Sequence, residues 1–330
     1  VIGLVFAGYL GYAEHHDGSL ILRFIFLSVV LALLEVTISF DNAIVNAAVL
    51  KNMTPKWQKR FLTWGMLIAV FGMRLVFPVV IVCIAASLGP LEALHLAVAD
   101  QQRYADIMLS VHHEVAAFGG TFLALVCLAF FMDREKDSHW LGWIERPLAR
   151  MGQLKVLEVA IVLAGLWWFS STLDAEHAYP VFKSGIAGLL TFLAVKLLGD
   201  VMSIPDGTKK DLHRQSLGLF LYLEVLDASF SFDGVVAAFA ITVNPFLIAI
   251  GLGIGALFVR SFTIVMVEKG TLQTFKYLEA GAFWAIGILA VIMFIGIHRE
   301  VPEMITAGVG LTVIAIAFVQ SLLEQKRGRG

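Results

Sequence analysis

The sequence predicts an all-α polytopic membrane protein, with about nine transmembrane helices after a truncated N-terminal helix and an inverted internal repeat. Three observations lead there. Of the 330 residues, 59% are hydrophobic and 15% charged, with a mean hydropathy of +0.84; soluble domains are nearer half apolar and a quarter charged. Apolar runs of about 20 residues, enough to cross a bilayer, recur along the whole chain. Lysines and arginines concentrate in alternate loops. No stretch is left for a soluble catalytic or nucleic-acid-binding domain, and no prosthetic group is expected. The only cysteines, Cys83 and Cys127, sit in separate apolar runs, which excludes a disulfide framework or a Cys-x-x-Cys zinc or redox site.

Residues 1 to 12 are apolar but too short to span, and read as the remainder of a truncated helix, with a signal-peptide remnant as the weaker option. Spans are expected at 20–50, 61–88, 114–132, 154–172, 181–199, 215–243, 246–267, 277–297 and 304–323, bounded by charges or by Pro55, Pro180 and Asn244-Pro245. Residues 89–113 are too charged to span and predict a surface helix. Barrel strands would alternate polarity over roughly ten residues, and these runs do not. The whole chain, 1–330, reads as one transmembrane domain: a first repeat at 20–132, linking helices at 154–199, a second repeat at 215–297 and a final helix at 304–323.

Basic residues orient the spans, because cytoplasmic loops carry the excess. One set of alternate loops holds Lys51 to Arg60, Arg134 to Lys155, Lys209 to Arg214, Lys269 with Lys276, and Lys326 to Arg329. The other holds only Arg23, Arg103, Lys183 and Arg299, while Arg74, Lys196 and Arg260 fall within spans. A plasma (inner) membrane location with a cytoplasmic C-terminus follows. The opposite side holds ten acids against four bases and seven of the nine histidines, a negative balance that attracts cations. Trp140, Trp143, Trp167 and Trp168 fall near span ends and read as belt residues.

Two segments match: Glu35-Val-Thr-Ile-Ser39-Phe40-Asp41-Asn42 and Asp227-Ala-Ser-Phe-Ser231-Phe232-Asp233-Gly234. In each case the next helix carries a glycine nine residues before an arginine, Gly65 to Arg74 and Gly251 to Arg260. The first copy opens the first span and the second opens the sixth, so the copies run in opposite directions. Inverted repeats of this kind place a substrate site near the midplane of secondary transporters.

Intramembrane acids make the site expectation. Glu158 and Glu279 lie near helix ends beside Lys155 and Lys276, where snorkelling or pairing accounts for them. Glu35, Asp41, Glu224, Asp227 and Asp233 need another account, since a charge at a helix centre costs at least roughly 2.5 kcal/mol. On a straight helix Glu35, Ser39, Asn42 and Asn46 share one stripe, as do Asp227, Ser231 and Gly234 with Glu224 beside them. Such oxygen-rich stripes suit a hard divalent cation. Asp41 and Asp233 leave the stripe; either they point to a neighbouring helix, toward Arg74 and Arg260, or the helix unwinds at Ser-Phe-Asp. The primary ligand set is Glu35, Asp41, Asn42, Asp227 and Asp233, with Glu224, Asn46, Ser39, Ser231, Arg74 and Arg260 as secondary candidates. Structural ion pairing is the competing role for both arginines, and backbone bonding for both serines. His112-His113-Glu114 and His15-His16-Asp17 are weaker candidates for a metal vestibule.

Through these paired motifs, with LEVTISFDNAIVNAAVL, DREKDSHWLGWIERPLARMG and LYLEVLDASFSFDGVVAAFAIT, the chain over about residues 20 to 300 resembles the TerC family of integral membrane proteins, named for tellurium resistance, closest to its YkoY-like branch. The resemblance implies the LysE-like transporter superfamily and manganese export, other members being linked to metalation of secreted proteins or to membrane-protein assembly. It carries the acidic motif onto Glu35, Asp41, Asn42, Asp227 and Asp233. Gly234, where many relatives have a small polar residue, and Glu224, an extra acid, depart from the pattern.

The expected function is export of a divalent metal ion, manganese foremost, with protons as counter-ion; the bilayer, the metal and protons are the partners, and nucleic acid is not. A membrane assembly or metal-delivery factor without transport is the alternative. An intramembrane aspartyl protease is disfavoured by the missing Gly-x-Gly-Asp and Tyr-Asp contexts. The inverted repeat predicts that single cysteines at Asn52 and Asn244 react with an impermeant thiol reagent from opposite sides; labelling from the same side would remove it.

Overall fold

The computed structural model describes residues 2–15, 18–134, 139–152, 156–203, 211–299 and 301–327, and among them every regular element is helical. In chain order these are α1 (Ile2–His15), α2 (Gly18–Ile38), α3 (Phe40–Leu50), α4 (Pro55–Ala86), α5 (Pro90–Ala99), α6 (Gln101–Ser110), α7 (His112–Phe131), α8 (Gly142–Met151), α9 (Leu157–Ser170), α10 (Ala175–Ser203), α11 (Asp211–Phe239), α12 (Pro245–Glu268), α13 (Thr271–Thr274), α14 (Leu278–His298) and α15 (Glu303–Arg327). Seven helices among the described residues are long and apolar enough to span, within α2, α4, α7, α10, α12, α14 and α15. The protein is therefore polytopic. Of the two other expected spans, α9 has 14 residues, about 21 Å of helix against a core of about 30 Å. The second, α11, is a 29-residue helix that carries Glu224, Asp227 and Asp233.

Local chemistry sets the ends. Asn244 Oδ1 accepts from the backbone N–H of Phe246 and Leu247, at 3.1 and 3.0 Å, with Pro245 next in line; this is an N-cap followed by the proline that a first helical turn tolerates. Asp100 accepts from the Arg103 N–H at 3.0 Å and splits the expected surface helix into α5 and α6. α4 ends at Ser87, whose φ of 54° is left-handed. Inside α4 the segments Phe61–Gly65 and Ile68–Val76 wind as π-helix, a wide form that concentrates at functional sites.

The expected run 20–50 is two helices, because α2 stops at Ile38 and α3 begins at Phe40. Ser39 keeps its backbone bond to the Glu35 carbonyl at 2.9 Å across the break. Its counterpart at Ser231 lies inside the uninterrupted α11. Unwinding at Ser-Phe-Asp thus occurs in the first copy and not in the second.

The chain forms two compact units. The first comprises Val1–Ser39, Lys59–His112 and Phe230–Phe262; the second comprises Phe40–Gln58, His113–Ser229 and Thr263–Gly330. Each draws segments from both expected repeats. In the first unit α1 packs on α2, and α5 and α6 pack on the end of α4. A side-chain carbon at Gly251 of α12 would stand 2.4 Å from Leu31 Cβ, and one at Gly255 would stand 2.5 Å from Glu35 Cβ. This small-x-x-x-small edge lets α12 touch the helix that carries Glu35. In the second unit α14 packs on α15 and α3, and α9 on α10. Phe130 stacks on Phe283 at 3.7 Å, and Lys51 pairs with Glu279 at 2.8 Å.

Gly255→Leu should therefore overpack the α2 and α12 contact by about 1–3 kcal/mol, read as a lower unfolding midpoint in detergent. Gly296→Ala, where the added carbon meets nothing within 4 Å, should not lower it.

Candidate functional site

The intramembrane acids divide between the two units. In the first, Glu35 is 1% exposed on α2. Its Oε1 accepts from Ser39 Oγ at 2.9 Å and forms an ion pair with Arg74 Nη2. Arg74, in the π-helical stretch of α4, also donates from Nη1 to the Ala69 carbonyl at 2.8 Å. The partner of Arg74 is thus Glu35, where the sequence pointed to Asp41. Being one turn apart, Glu35 and Ser39 face the same way, so the Ser39 hydroxyl serves the carboxylate in place of its own helix backbone. Gly234 completes this pocket: a side-chain carbon there would lie 3.0 Å from Glu35 Oε2. Arg260 has a different setting. Its Nη1 donates to the Phe61 carbonyl at 3.0 Å, and its guanidinium lies 4.1 Å from the Phe61 ring centroid, a cation–π arrangement. Ser231 is buried, and its Oγ has no hydrogen-bond partner among the described residues. Asp233 belongs to α11, but its side chain lies outside the described residues.

In the second unit Asp227 of α11 is 6% exposed. Its Oδ1 accepts from Asn42 Nδ2 at 2.7 Å and from Asn46 Nδ2 at 2.9 Å. The two asparagines are one turn apart on α3, which explains how both reach one oxygen. Their amide carbonyls, Asn42 Oδ1 and Asn46 Oδ1, are buried without a hydrogen-bond partner among the described residues. Such an omission is unusual, because buried acceptors are nearly always satisfied. Asp41, beside them, is 7% exposed. Its Oδ1 accepts from the Asn42 N–H at 2.9 Å, and its Oδ2 faces Gly310 of α15, where a side-chain carbon would stand 3.9 Å away. No ion pair to Asp41 occurs among the described residues. Glu224, one turn before Asp227, is buried as well.

The break at Ser39 therefore divides the expected stripe, with Glu35 and Ser39 in one unit and Asn42 and Asn46 in the other. Among the described residues no three of His, Cys, Asp and Glu gather as a ligand group. The groups that do converge on Asp227 Oδ1 are the amide N–H donors of Asn42 and Asn46. His113 lies 5.4 Å from His177, ring to ring, and His112 stacks on Phe232 at 6.3 Å; the side chains of His15, His16 and Asp17 lie outside the described residues. Two pairings also differ from sequence expectation. Glu158 pairs with Lys196 and Glu279 with Lys51, while Lys276 pairs with Glu324 at 2.9 Å and Lys155 lies outside the described residues. Gly255 and Gly310 were not legible as site residues, although Gly251-x-x-x-Gly255 is a packing signal.

Arg74→Met should leave Glu35 buried with its charge uncompensated and cost about 3–5 kcal/mol. Adding Glu35→Gln should restore at least half of that loss in unfolding of the detergent-solubilised protein. Strictly additive losses would mean that the pair is not coupled.

Comparison with known proteins gives a relative, a blank and a family. The "Uncharacterized membrane protein YceF" of Bacillus subtilis (strain 168) is 27% identical over 146 residues, which is 42% of this chain and 56% of that protein. The chain thus matches about half the length of this relative. No solved structure matches. The family described as "Protein of unknown function (DUF475)" matches residues 40–328, a stretch that takes in every primary and secondary candidate ligand except Glu35 and Ser39, and the chain belongs to that family.

Proposed function

We propose that this protein is a membrane transporter that exports a divalent metal cation, manganese foremost, across the plasma membrane, with its C-terminus in the cytoplasm. The observation that carries this reading is the cluster on α3 and α11. Two amide carbonyls, Asn42 Oδ1 and Asn46 Oδ1, are buried beside the Asp227 carboxylate without a hydrogen-bond partner among the described residues. Asp41 on the same helix is a buried acid whose one recorded hydrogen bond comes from a backbone N–H. Amide and carboxylate oxygens without thiolate are the chemistry of a hard cation. The resemblance of the two acidic motifs to the TerC family and the acidic balance of the outer loops support the same reading.

Selectivity would come from ligand type. An oxygen-only set favours Mn²⁺ over Zn²⁺ or Cu²⁺ relative to the order those metals usually follow. Coupling would come from charge. When the cation leaves, a buried carboxylate such as Asp41 is stabilised by taking up a proton, so metal moves one way and protons the other. Glu35 has a different part, because Arg74 already neutralises it. A metal ion could recruit Glu35 only by displacing that guanidinium, which makes Glu35 a charge-balancing group more than a resting ligand.

The test is metal flux by purified protein in liposomes, with a peptide-cleavage control for the protease alternative. Asp41→Asn and Asp233→Asn should each abolish Mn²⁺ flux while folded protein stays in the membrane. An imposed pH gradient should drive Mn²⁺ flux, and Glu35→Gln should weaken that response. Full flux in either aspartate variant would make that aspartate structural. Preference for Zn²⁺ would sink the ligand argument, flux indifferent to pH would sink the coupling, and absence of any metal flux would favour an assembly or metal-delivery role.

A further inference from the structure

The loop between α7 and α9 carries a helix that the transport reading does not use. α8 is too short and too charged to span: Gly-Trp-Ile-Glu-Arg-Pro-Leu-Ala-Arg-Met. One face is held firmly. Glu145, fully buried, accepts from the backbone N–H of Trp140 and Leu141, at 3.1 and 3.0 Å, and from the indole N–H of Trp284 at 3.0 Å. The indole of Trp140 donates to Gln320 of α15. These anchors fix depth. Trp284 lies six residues into α14, about 9 Å along its axis, and Gln320 seven residues before the end of α15, about 10 Å. The ends of these two helices are themselves tied together, by Lys276 with Glu324 at 2.9 Å and by the Tyr277 N–H donating to Ser321 Oγ at 2.9 Å. The anchored edge of α8 is therefore held within about 10 Å of the ends of two spanning helices, on the side of one membrane interface.

The opposite face is exposed: Trp143, 79% accessible, with Arg146, Pro147, Arg150 and Met151. These positions recur every three or four residues and form one stripe. Neither Arg146 nor Arg150 has an ion pair or side-chain hydrogen bond among the described residues. Lys276 at the same end differs, since its hydrogen bond to Glu324 raises the amine above its ordinary value and occupies it.

We infer that the outer face of α8 binds acidic phospholipid headgroups of the leaflet it faces, with Arg146 and Arg150 taking the phosphates and Trp143 sitting among the headgroups. Charge complementarity selects the lipid class. Guanidinium forks match phosphate oxygens, and an exposed indole flanked by arginines is the composition of an interfacial helix. Anchored beside that interface, the face has the bilayer as its neighbour. The pinned Glu145 face keeps the helix from rolling, so the two arginines stay presented. The inference is independent of what the protein transports.

The test uses the full chain in nanodiscs of phosphatidylcholine with a minor fraction of phosphatidylglycerol. Met151→Cys carries an environment-sensitive fluorophore; Cys127 is buried and Cys83 half-buried, so brief labelling favours the exposed site. Quenching by headgroup-labelled phosphatidylglycerol should exceed that by phosphatidylcholine carrying the same quencher. Arg146→Gln with Arg150→Gln should cut the local enrichment about 30-fold, roughly fivefold for each arginine, equivalent to about 1 kcal/mol apiece near an anionic surface. Arg146→Lys with Arg150→Lys should retain most of it, Lys276→Gln should leave it unchanged, and high salt should weaken it. Equal quenching by the two lipids, or enrichment indifferent to the double glutamine variant, would overturn the inference. Displacement of the acidic lipid by millimolar inorganic phosphate would also overturn it, by showing a free-anion site instead of a bilayer contact.

Discussion

A carboxylate in hydrocarbon has to be met by something, and the ways this chain meets its buried acids govern the rest of the structure. Glu35 is met by a fixed cation, Arg74, and by the hydroxyl of Ser39. Asp227 receives two amide N–H groups, and Asp41 a backbone N–H. These solutions are not equivalent. A guanidinium cancels a charge outright, whereas amide donors solvate it and leave its sign in place. The helices follow from those demands: α4 widens into π-helix where Arg74 reaches Glu35, and α12 presents Gly255 where bulk would displace the Glu35 side chain.

The break at Ser39 is the second organising feature, and it gives the two motif copies different shapes. In the first copy the chain stops and restarts, so Glu35 belongs to one compact unit and Asp41, Asn42 and Asn46 to the other. In the second copy α11 runs through Ser231-Phe232-Asp233 without interruption, and the division between units falls within a continuous helix. Likeness in sequence has not imposed likeness in conformation. The neighbours explain why: Gly234 has no side chain and leaves Glu35 Oε2 its space, while Asn42 at the equivalent position uses its side chain to reach Asp227.

Much of this was legible in the residues. Hydropathy placed nine spans, and seven of them are helices long and apolar enough to cross among the described residues, because apolar length is a one-dimensional property that a sequence displays directly. The sharing of one face by Asn42 and Asn46 was also readable, since four residues make nearly one turn. The pairing of Arg74 was not. Spacing left two readings of Asp41 open, toward Arg74 or an unwound helix at Ser-Phe-Asp, and the break one residue after Ile38 fits the second. Nor could spacing show that Glu279 pairs with Lys51 or Glu158 with Lys196, because snorkelling side chains on neighbouring helices choose partners by tertiary position. Gly310 beside Asp41 carried no signal, as one glycine among 29 tells nothing about which acid it faces.

The difference between a fixed and a mobile counter-ion separates these acids by function. A carboxylate already neutralised by a covalently tethered guanidinium can bind an incoming cation only if the arginine swings away, and Arg74 is further restrained by its bond to the Ala69 carbonyl. A carboxylate solvated by amides imposes no such exchange. Rotating an asparagine side chain turns its donor away and its carbonyl inward, and Asn42 and Asn46 each hold a carbonyl that satisfies no donor among the described residues. Under the proposed transport, that rotation would turn a pocket that stabilises an anion into one that coordinates a cation, with no new residue recruited. It also assigns the asparagines an active part: Asn46, a secondary candidate on spacing alone, makes the same bond to Asp227 as Asn42. In the proposed transport, an alternation between donor-in and carbonyl-in amides would be the local change that a cycle repeats.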